Sequence, residues 1–208
     1  MKKYMLNFSG ALLLLFITLS SQVKAQYYNK KVWSIGLEAG PSFSKYGQDG
    51  SDSDFKTGFV LGGNLTYSIM NTFGVTGKLL YSQKGAQQGN VKQTLNYIEV
   101  PIVGRAYFNH EGKFRPNIFA GPSFGFMTGA SNKTGSGDRV NIDNYKNVFN
   151  TFDFGLTGGL GLNFEVAPET RILLDFRYTH GLTDISQSAA NKINNQAFAI
   201  TAGFAIGI

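Results

Sequence analysis

Apolar and polar residues alternate with a period of two along most of the chain, and the run from residue 152 to 164 shows this best. One of its faces carries only apolar residues and glycine: Phe152, Phe154, Leu156, Gly158, Leu160, Leu162 and Phe164. Such alternation predicts a β-strand with one apolar face. Strands of soluble proteins are usually about five or six residues long. This run exceeds about ten residues, the length that a tilted membrane-spanning strand needs.

The same alternation recurs in seven other segments, so eight strands are predicted. They cover about residues 33–44, 57–69, 73–84, 95–108, 116–128, 152–164, 171–180 and 196–208. Short connections at 71–72, 109–115 and 166–169 alternate with long polar connections at 45–56, 85–94, 129–150 and 182–195. Outer-membrane barrels have short turns on one side and long extracellular loops on the other. The sequence therefore predicts an all-β fold, an eight-stranded antiparallel up-and-down transmembrane β-barrel.

The N-terminus has the three-part layout of a secretory signal peptide. A pair of lysines is followed by an apolar run, densest from Ala11 to Leu19, and then by small or polar residues up to Ala25. The apolar run is shorter than the roughly 20 residues of a membrane-spanning helix. We therefore predict a signal peptide at residues 1–25 and the barrel at residues 26–208, exported to the outer membrane of a Gram-negative cell.

Charge and cysteine content exclude several classes of protein. Half of the net charge of +6 belongs to residues 1–25, which contain three lysines and no acid. The basic balance is therefore no sign of a nucleic-acid partner, and no basic cluster with interleaved aromatic residues supports one. The chain has no cysteine, so disulfides and a lipid-bearing cysteine are excluded.

The end of the last predicted strand resembles the signal by which the barrel-assembly machinery recognises its clients. Thr201 is followed by Gly203, and apolar residues stand third from last and last, at Ile206 and Ile208. Many such signals end in an aromatic residue, and this chain departs from that pattern. We expect outer-membrane lipid and the assembly machinery to be partners. The alternative is a final amphipathic strand without a signalling role.

One segment of the sequence is similar to the signature motif of a known family. Residues 95–102 read LNYIEVPI, which resembles the YIEIP signature of the PorT-like outer-membrane β-barrel family of Bacteroidetes. Residues 119–123, 152–161 and 177–185 resemble further parts of that family in the same order. The resemblance implies an eight-stranded outer-membrane barrel. The family's namesake takes part in a protein-secretion system, whereas most members are described only as porin-family or outer-membrane β-barrel proteins.

The inward face of the predicted barrel carries charges of both signs. By strand parity they are Glu38, Lys78, Glu99, Arg105, Asp153, Asp175 and Arg177. The interior of an eight-stranded barrel is just wide enough for its own side chains to fill. Buried charges persist when they are paired and hydrogen-bonded. We therefore predict a structural network of lumenal salt bridges. A gate or narrow ion path, opened by exchange of pairs, is the alternative.

No catalytic site, metal site or cofactor is predicted. His110 and His180 do not stand at a metal-ligand spacing, and the chain has no cysteine to complete such a site. Serines and acids are plentiful, so their presence does not indicate a catalytic triad. We expect a protein that is not an enzyme.

Several functions remain open on the sequence. A structural or interaction role through the extracellular loops is favoured, with a surface protein or a secretion-system protein as a candidate partner. A small channel or porin-like transporter and an accessory of protein secretion are the alternatives. A soluble lipocalin-like ligand binder would turn the charged face outward. Six aromatic residues near strand ends instead predict a membrane girdle: Trp33, Tyr67, Phe73, Tyr81, Phe108 and Phe164.

Overall fold

The computed structural model describes residues 33–47, 53–109, 112–187 and 192–208, which are almost entirely β-strand. The strands are β1 (Trp33–Gly47), β2 (Lys56–Met70), β3 (Phe73–Gln88), β4 (Val91–Tyr107), β5 (Phe114–Thr134), β6 (Arg139–Asn141), β7 (Phe152–Ala167), β8 (Thr170–Gly181) and β9 (Asn194–Gly207). A 3-10 helix covers Tyr145–Asn147. No helix within these ranges is long and apolar enough to cross a membrane. The predicted signal peptide and His110 lie outside the described residues.

Eight of the strands close into a ring. Each pairs antiparallel with the next, from β1 to β5 and from β7 to β9; β5 pairs with β7, and β9 pairs with β1. The short β6 lies beside β5, where Lys133 and Arg139 are register partners. The predicted eight-stranded antiparallel barrel is therefore confirmed.

The two ends of the barrel differ in their connections. We call the end with the tight turns at 71–72 and 168–169 the turn end, and the opposite end the loop end. Two of the predicted long loops at the loop end differ from the prediction, because one is largely strand and the other begins as strand. Residues 85–94 belong mostly to β3 and β4, which meet in a two-residue turn at Gly89 and Asn90. Gly89 has a φ of 55°, a left-handed conformation that glycine adopts without strain.

The second correction concerns residues 129–150, which were also predicted as a loop. Here β5 continues to Thr134 and then pairs with β6. The polar composition of residues 85–94, and of the strand portions of 129–150, reflects strands that project beyond the apolar band into water. The rest of 129–150 is turn, irregular backbone and the 3-10 helix.

The outer surface of the barrel is apolar, whereas the inner surface is polar. Leu79 and Leu160 point outward and are 61% and 59% exposed. A water-soluble protein does not expose a continuous band of such side chains. This arrangement is the reverse of a lipocalin-like barrel and excludes that alternative.

Two belts of aromatic side chains border the apolar band. The turn-end belt includes the ring pairs Trp33–Tyr67 and Phe114–Phe164, and the loop-end belt includes Phe59–Tyr81 and Tyr178–Phe198. On β1, Trp33 and Phe43 lie ten residues apart and mark the two levels. A rise of about 3.3 Å per residue and a tilt of about 40° separate them by about 25 Å, the height of the apolar band of a membrane barrel.

Gly159 on β7 allows close packing inside the ring. A Cβ atom at this position would collide with the carbonyl oxygen of Phe176 and lie 2.7 Å from Cζ of Phe119. Gly158 faces outward, and a Cβ atom there would meet the carbonyl oxygen of Phe119 at 3.4 Å, an ordinary contact.

We predict that Gly159→Ala lowers the free energy of unfolding by about 1–3 kcal/mol, because the added methyl group overpacks the strand interface. The matched control, Gly158→Ala, should change it by less than about 0.5 kcal/mol. Urea unfolding in detergent micelles, followed by the fluorescence of the single tryptophan, measures both values. Equal effects of the two substitutions would contradict this account of the packing.

Candidate functional site

Four charged side chains meet in the half of the lumen nearer the turn end. This turn-side cluster consists of Glu38, Lys78, Arg105 and Asp175. The Nζ atom of Lys78 lies 2.9 and 2.8 Å from the two carboxylate oxygens of Glu38 and 2.9 Å from Oδ2 of Asp175. Arg105 donates two hydrogen bonds to Asp175, at 3.0 and 2.7 Å. All four side chains are buried, and their charges cancel. Complete pairing of this kind offsets the cost of removing the charges from water.

Amide and aromatic side chains complete the turn-side cluster. Asn64 donates a hydrogen bond to Glu38 at 3.1 Å, and Asn117 accepts one from Arg105 at 2.6 Å. The ring of Phe119 lies beneath both bases, with its centroid 5.7 Å from Nζ of Lys78 and 4.5 Å from Cζ of Arg105. Each cation therefore contacts both an acid and an aromatic face, and the space between the strands is filled.

A second group of charges, the loop-side cluster, lies nearer the loop end and consists of Lys84, Glu99, Asp153 and Arg177. Lys84 Nζ lies 2.5 Å from Oε1 of Glu99 and 3.3 Å from Oδ2 of Asp153. Asn195 donates to the same oxygen of Asp153 at 2.8 Å. Arg177, on β8, is buried in the lumen as well. Two acids and two bases again leave no net charge.

All seven charged residues predicted for the lumen are buried there. Six of them are in the ion pairs described above, whereas the Nη1 atom of Arg177 has no hydrogen-bond partner among the described residues. Sequence reasoning missed two buried inward bases, Lys56 and Arg115. It also missed Lys84, which gives the loop-side cluster as many bases as acids. Its signal was present, since Lys78, Leu80, Ser82 and Lys84 share one parity. Lys84 was not predicted as a lumenal residue because it is the last residue before the predicted loop at 85–94.

A hydrophobic cap covers the lumen at the loop end. It joins inward-facing strand residues with apolar residues of the connections: Tyr46, Ala86, Leu95, Tyr97, Met127, Ala130, Phe149 and Ile185. The backbone N–H of Asn150 donates to the carbonyl of Ile185 at 2.9 Å, and the N–H of Ile185 donates to the carbonyl of Ile193 at 2.8 Å. Sequence reasoning missed the cap. Its two residues from the connections between strands, Phe149 and Ile185, are isolated apolar residues in polar segments and so form no pattern.

The residues that could carry chemistry are few. Within the described ranges, no group of three histidine, aspartate or glutamate residues is placed to hold a metal ion. His180 lies on the outer face, with Nδ1 3.3 Å from the hydroxyl of Tyr178. Nothing in this part of the chain gives positive evidence of catalysis.

The residues of the predicted assembly signal lie on β9 and just beyond it. Thr201 and Gly203 face the lumen, whereas Ile206 and Ile208 are exposed on the outer surface. Their recognition by the assembly machinery remains a prediction.

The closed ring, the polar lumen and the two aromatic belts define a membrane-spanning β-barrel protein. A family model described as outer membrane protein beta-barrel domain matches residues 21–187, and the chain belongs to this family. The protein is therefore an outer-membrane barrel.

Several solved structures share the fold. Neisserial surface protein A matches with a TM-score of 0.58 and 14% identity, over 87% of this chain and all of that one. The outer membrane protease OmpT from Escherichia coli matches with a TM-score of 0.50 and 9% identity, over 89% of this chain and all of that one. At these identities the likeness shows the fold alone. A search of curated protein sequences found no match.

We predict that Asp175→Asn lowers the free energy of unfolding by about 3–5 kcal/mol. The substitution removes the carboxylate charge that Lys78 and Arg105 both bind, and so leaves buried positive charge without a full counter-charge. Glu165→Gln is the matched control, since Glu165 pairs with Arg171 at 3.5 Å near the surface, with both side chains more than a quarter exposed. That pair should contribute less than about 1 kcal/mol. Urea unfolding in micelles compares the two variants. A small, equal loss in both would show that the buried pairs do not stabilise the barrel.

Proposed function

We propose that this protein is a non-conducting outer-membrane barrel that acts through the surface exposed at its loop end, in a structural or interaction role. The observation that carries the proposal is the filled lumen: two neutral charge clusters occupy it, and the hydrophobic cap covers them.

The charge clusters oppose conduction for an energetic reason. A path for ions along the axis would require Lys78 or Arg105 to leave Asp175, and either movement would strand a buried charge. Breaking such a pair costs several kcal/mol. The channel alternative therefore requires a rearrangement of side chains that hold one another in place.

The loop end supplies the surface for an interaction. It faces the cell exterior in outer-membrane barrels. It carries exposed apolar side chains, with Val140 66%, Val148 49% and Leu182 52% exposed. Exposed apolar residues on an ordered scaffold are typical of surfaces that bind other molecules.

We predict that the full chain, reconstituted in planar lipid bilayers, shows no stepwise current. Insertion is verified separately by a shift of the unboiled band on a cold SDS gel, so that absence of current is not mistaken for absence of protein. Reproducible current steps from barrels that pass the gel test would contradict the filled lumen and favour the channel alternative.

A role as an accessory of protein secretion rests on the resemblance to the PorT-like family. The motif that carries this resemblance includes Tyr97, Glu99 and Pro101, and all three side chains are buried. Their burial is consistent with a part in filling the lumen, which a structural role also needs. Co-purification with a secretion complex from native membranes in mild detergent would support the secretion role.

Export by a cleaved signal peptide is part of the same proposal. We expect the protein isolated from the outer-membrane fraction to begin at Gln26, because the three-part signal ends at Ala25. Intact mass spectrometry measures this directly. A mass that includes residues 1–25 would show that the segment is retained.

A further inference from the structure

The three-residue strand β6 forms an open edge of the sheet at the loop end. It stands last in the strand order, beside β5, and all three of its residues are exposed. β7 pairs with the same side of β5, but only as far as the partners Phe126 and Phe152. Beyond that level β6 takes this side of β5, and within the described ranges no strand pairs with the other side of β6.

The backbone groups of two β6 residues point to this open side. The N–H of Ile142 donates to the carbonyl of Ala130 at 2.9 Å, which makes these two residues a hydrogen-bonded pair. Hydrogen-bonded and non-hydrogen-bonded pairs alternate along an antiparallel ladder. Val140 therefore bonds to β5, whereas the N–H and C=O groups of Arg139 and Asn141 point away from it. We call these four backbone groups the β6 edge.

A row of basic side chains crosses the sheet and ends at the β6 edge. Lys92 on β4 is the register partner of Lys133 on β5, and Lys133 is the register partner of Arg139 on β6. Register partners point to the same side of a sheet. The adjacent residues Gln93 and Asn132 hydrogen-bond to each other at 3.2 Å on the side that carries the hydrophobic cap. The three cations, which we call the basic row, therefore lie on the outer side, where all three are exposed.

The basic row lacks negative charge at its β6 end. Asp54 forms a bridge with Gln87, the register partner of Lys92, and so stands at the opposite end of the row. Neighbouring strands lie about 4.8 Å apart, which puts Asp54 about 19 Å from Arg139 along the row. Asp138 precedes β6, but in the described part of the chain neither acid forms an ion pair with the three cations. Like charges directly opposite one another destabilise a sheet.

We propose that the β6 edge binds an extended, acidic segment of a partner protein, which joins the sheet as one more strand with a carboxylate beside Arg139. The four backbone groups supply the main-chain hydrogen bonds of strand addition. The carboxylate forms an opposite-charge pair with Arg139 across the two strands. This inference rests on the proposed surface role and names the kind of partner.

The sign of the charge selects among the possible occupants of the edge. Natural sheets commonly protect an open edge with charged side chains. Here the three charges of the basic row have one sign, so they repel a second copy of the same edge and attract a strand of opposite charge.

The test is fluorescence anisotropy of labelled peptides titrated with the full chain, folded in octyl glucoside micelles. The two probes are about six residues long, the usual length of a strand; one alternates valine with glutamate and the other alternates valine with lysine. Wild-type protein should bind the glutamate peptide saturably below about 1 mM, and the lysine peptide about tenfold more weakly or less. No saturable binding of the glutamate peptide, or equal binding of the two, would overturn the proposal.

Substitution of Asn141 tests the backbone hydrogen bonds. Asn141→Pro removes a free N–H of the β6 edge and leaves the bonds from Val140 to β5 in place, so it should weaken binding of the glutamate peptide by about tenfold. The matched control is Asn141→Ala, which removes the same side chain, keeps the N–H and should bind as the wild type does. Unchanged binding by Asn141→Pro would show attraction by charge without strand addition, and would overturn the proposal.

Substitution of Arg139 tests the charge. Arg139→Glu should reverse the preference, so that the lysine peptide binds more tightly than the glutamate peptide. The control Lys146→Glu changes an exposed cation of the loop end outside the basic row and should keep the wild-type preference. The same change of preference in both variants would contradict a contact at Arg139.

Three further measurements complete the test. The unboiled gel shift verifies that each variant is folded. Sedimentation without peptide detects self-association, and a wild-type dimer that Asn141→Pro dissociates would assign the edge to a second copy and overturn the proposal. The bilayer recordings keep this failure separate from failure of the proposed function. A non-conducting barrel that binds neither peptide refutes the edge site alone, whereas a conducting barrel that binds the glutamate peptide refutes the non-conducting role alone.

Discussion

The lumen of the barrel is narrow, and ion pairs that reach across it hold most of its charged side chains in place. The turn-side cluster links β1, β3, β4 and β8 through Glu38, Lys78, Arg105 and Asp175. These strands are not all neighbours in the ring, so the ion pairs act across the lumen and add to the backbone ladders between adjacent strands. They hold the ring at one diameter and oppose a slip in register, which would turn the charges toward lipid.

Because the lumen is filled, only the outer surfaces at the two ends of the barrel are accessible to other molecules. At the turn end, tight turns keep the strands close to the apolar band. At the loop end, Phe149 and Ile185 pack over the loop-side cluster, so that the connections cover the lumen as well as face the exterior. The residues left free to meet other molecules are therefore those on the outer and upper surfaces of the projecting strands.

Much of the fold could be predicted from the period-two pattern, because membrane and lumen impose opposite polarity on alternate residues. The parity predicts inward positions for Glu38, Asp153 and the other lumenal charges, and these side chains are buried. It could not show where strands end beyond the membrane, since both faces of a strand are polar there. For this reason Lys84 and the strand structure of residues 85–94 could not be predicted from the pattern. The pairing of β5 with the three-residue β6 could not be predicted either, because it joins two segments whose contact leaves no periodic pattern in the sequence.

The length of the β3–β4 hairpin has a consequence for what this protein can touch. Tyr81 lies in the loop-end aromatic belt, and Gln88 ends β3 seven residues later. With a rise of about 3.3 Å per residue and a tilt of about 40°, the tip at Gly89 and Asn90 stands roughly 18 Å above that belt. The hairpin therefore extends beyond the headgroup layer, and a large particle that approaches the loop end meets the tip before it meets the membrane.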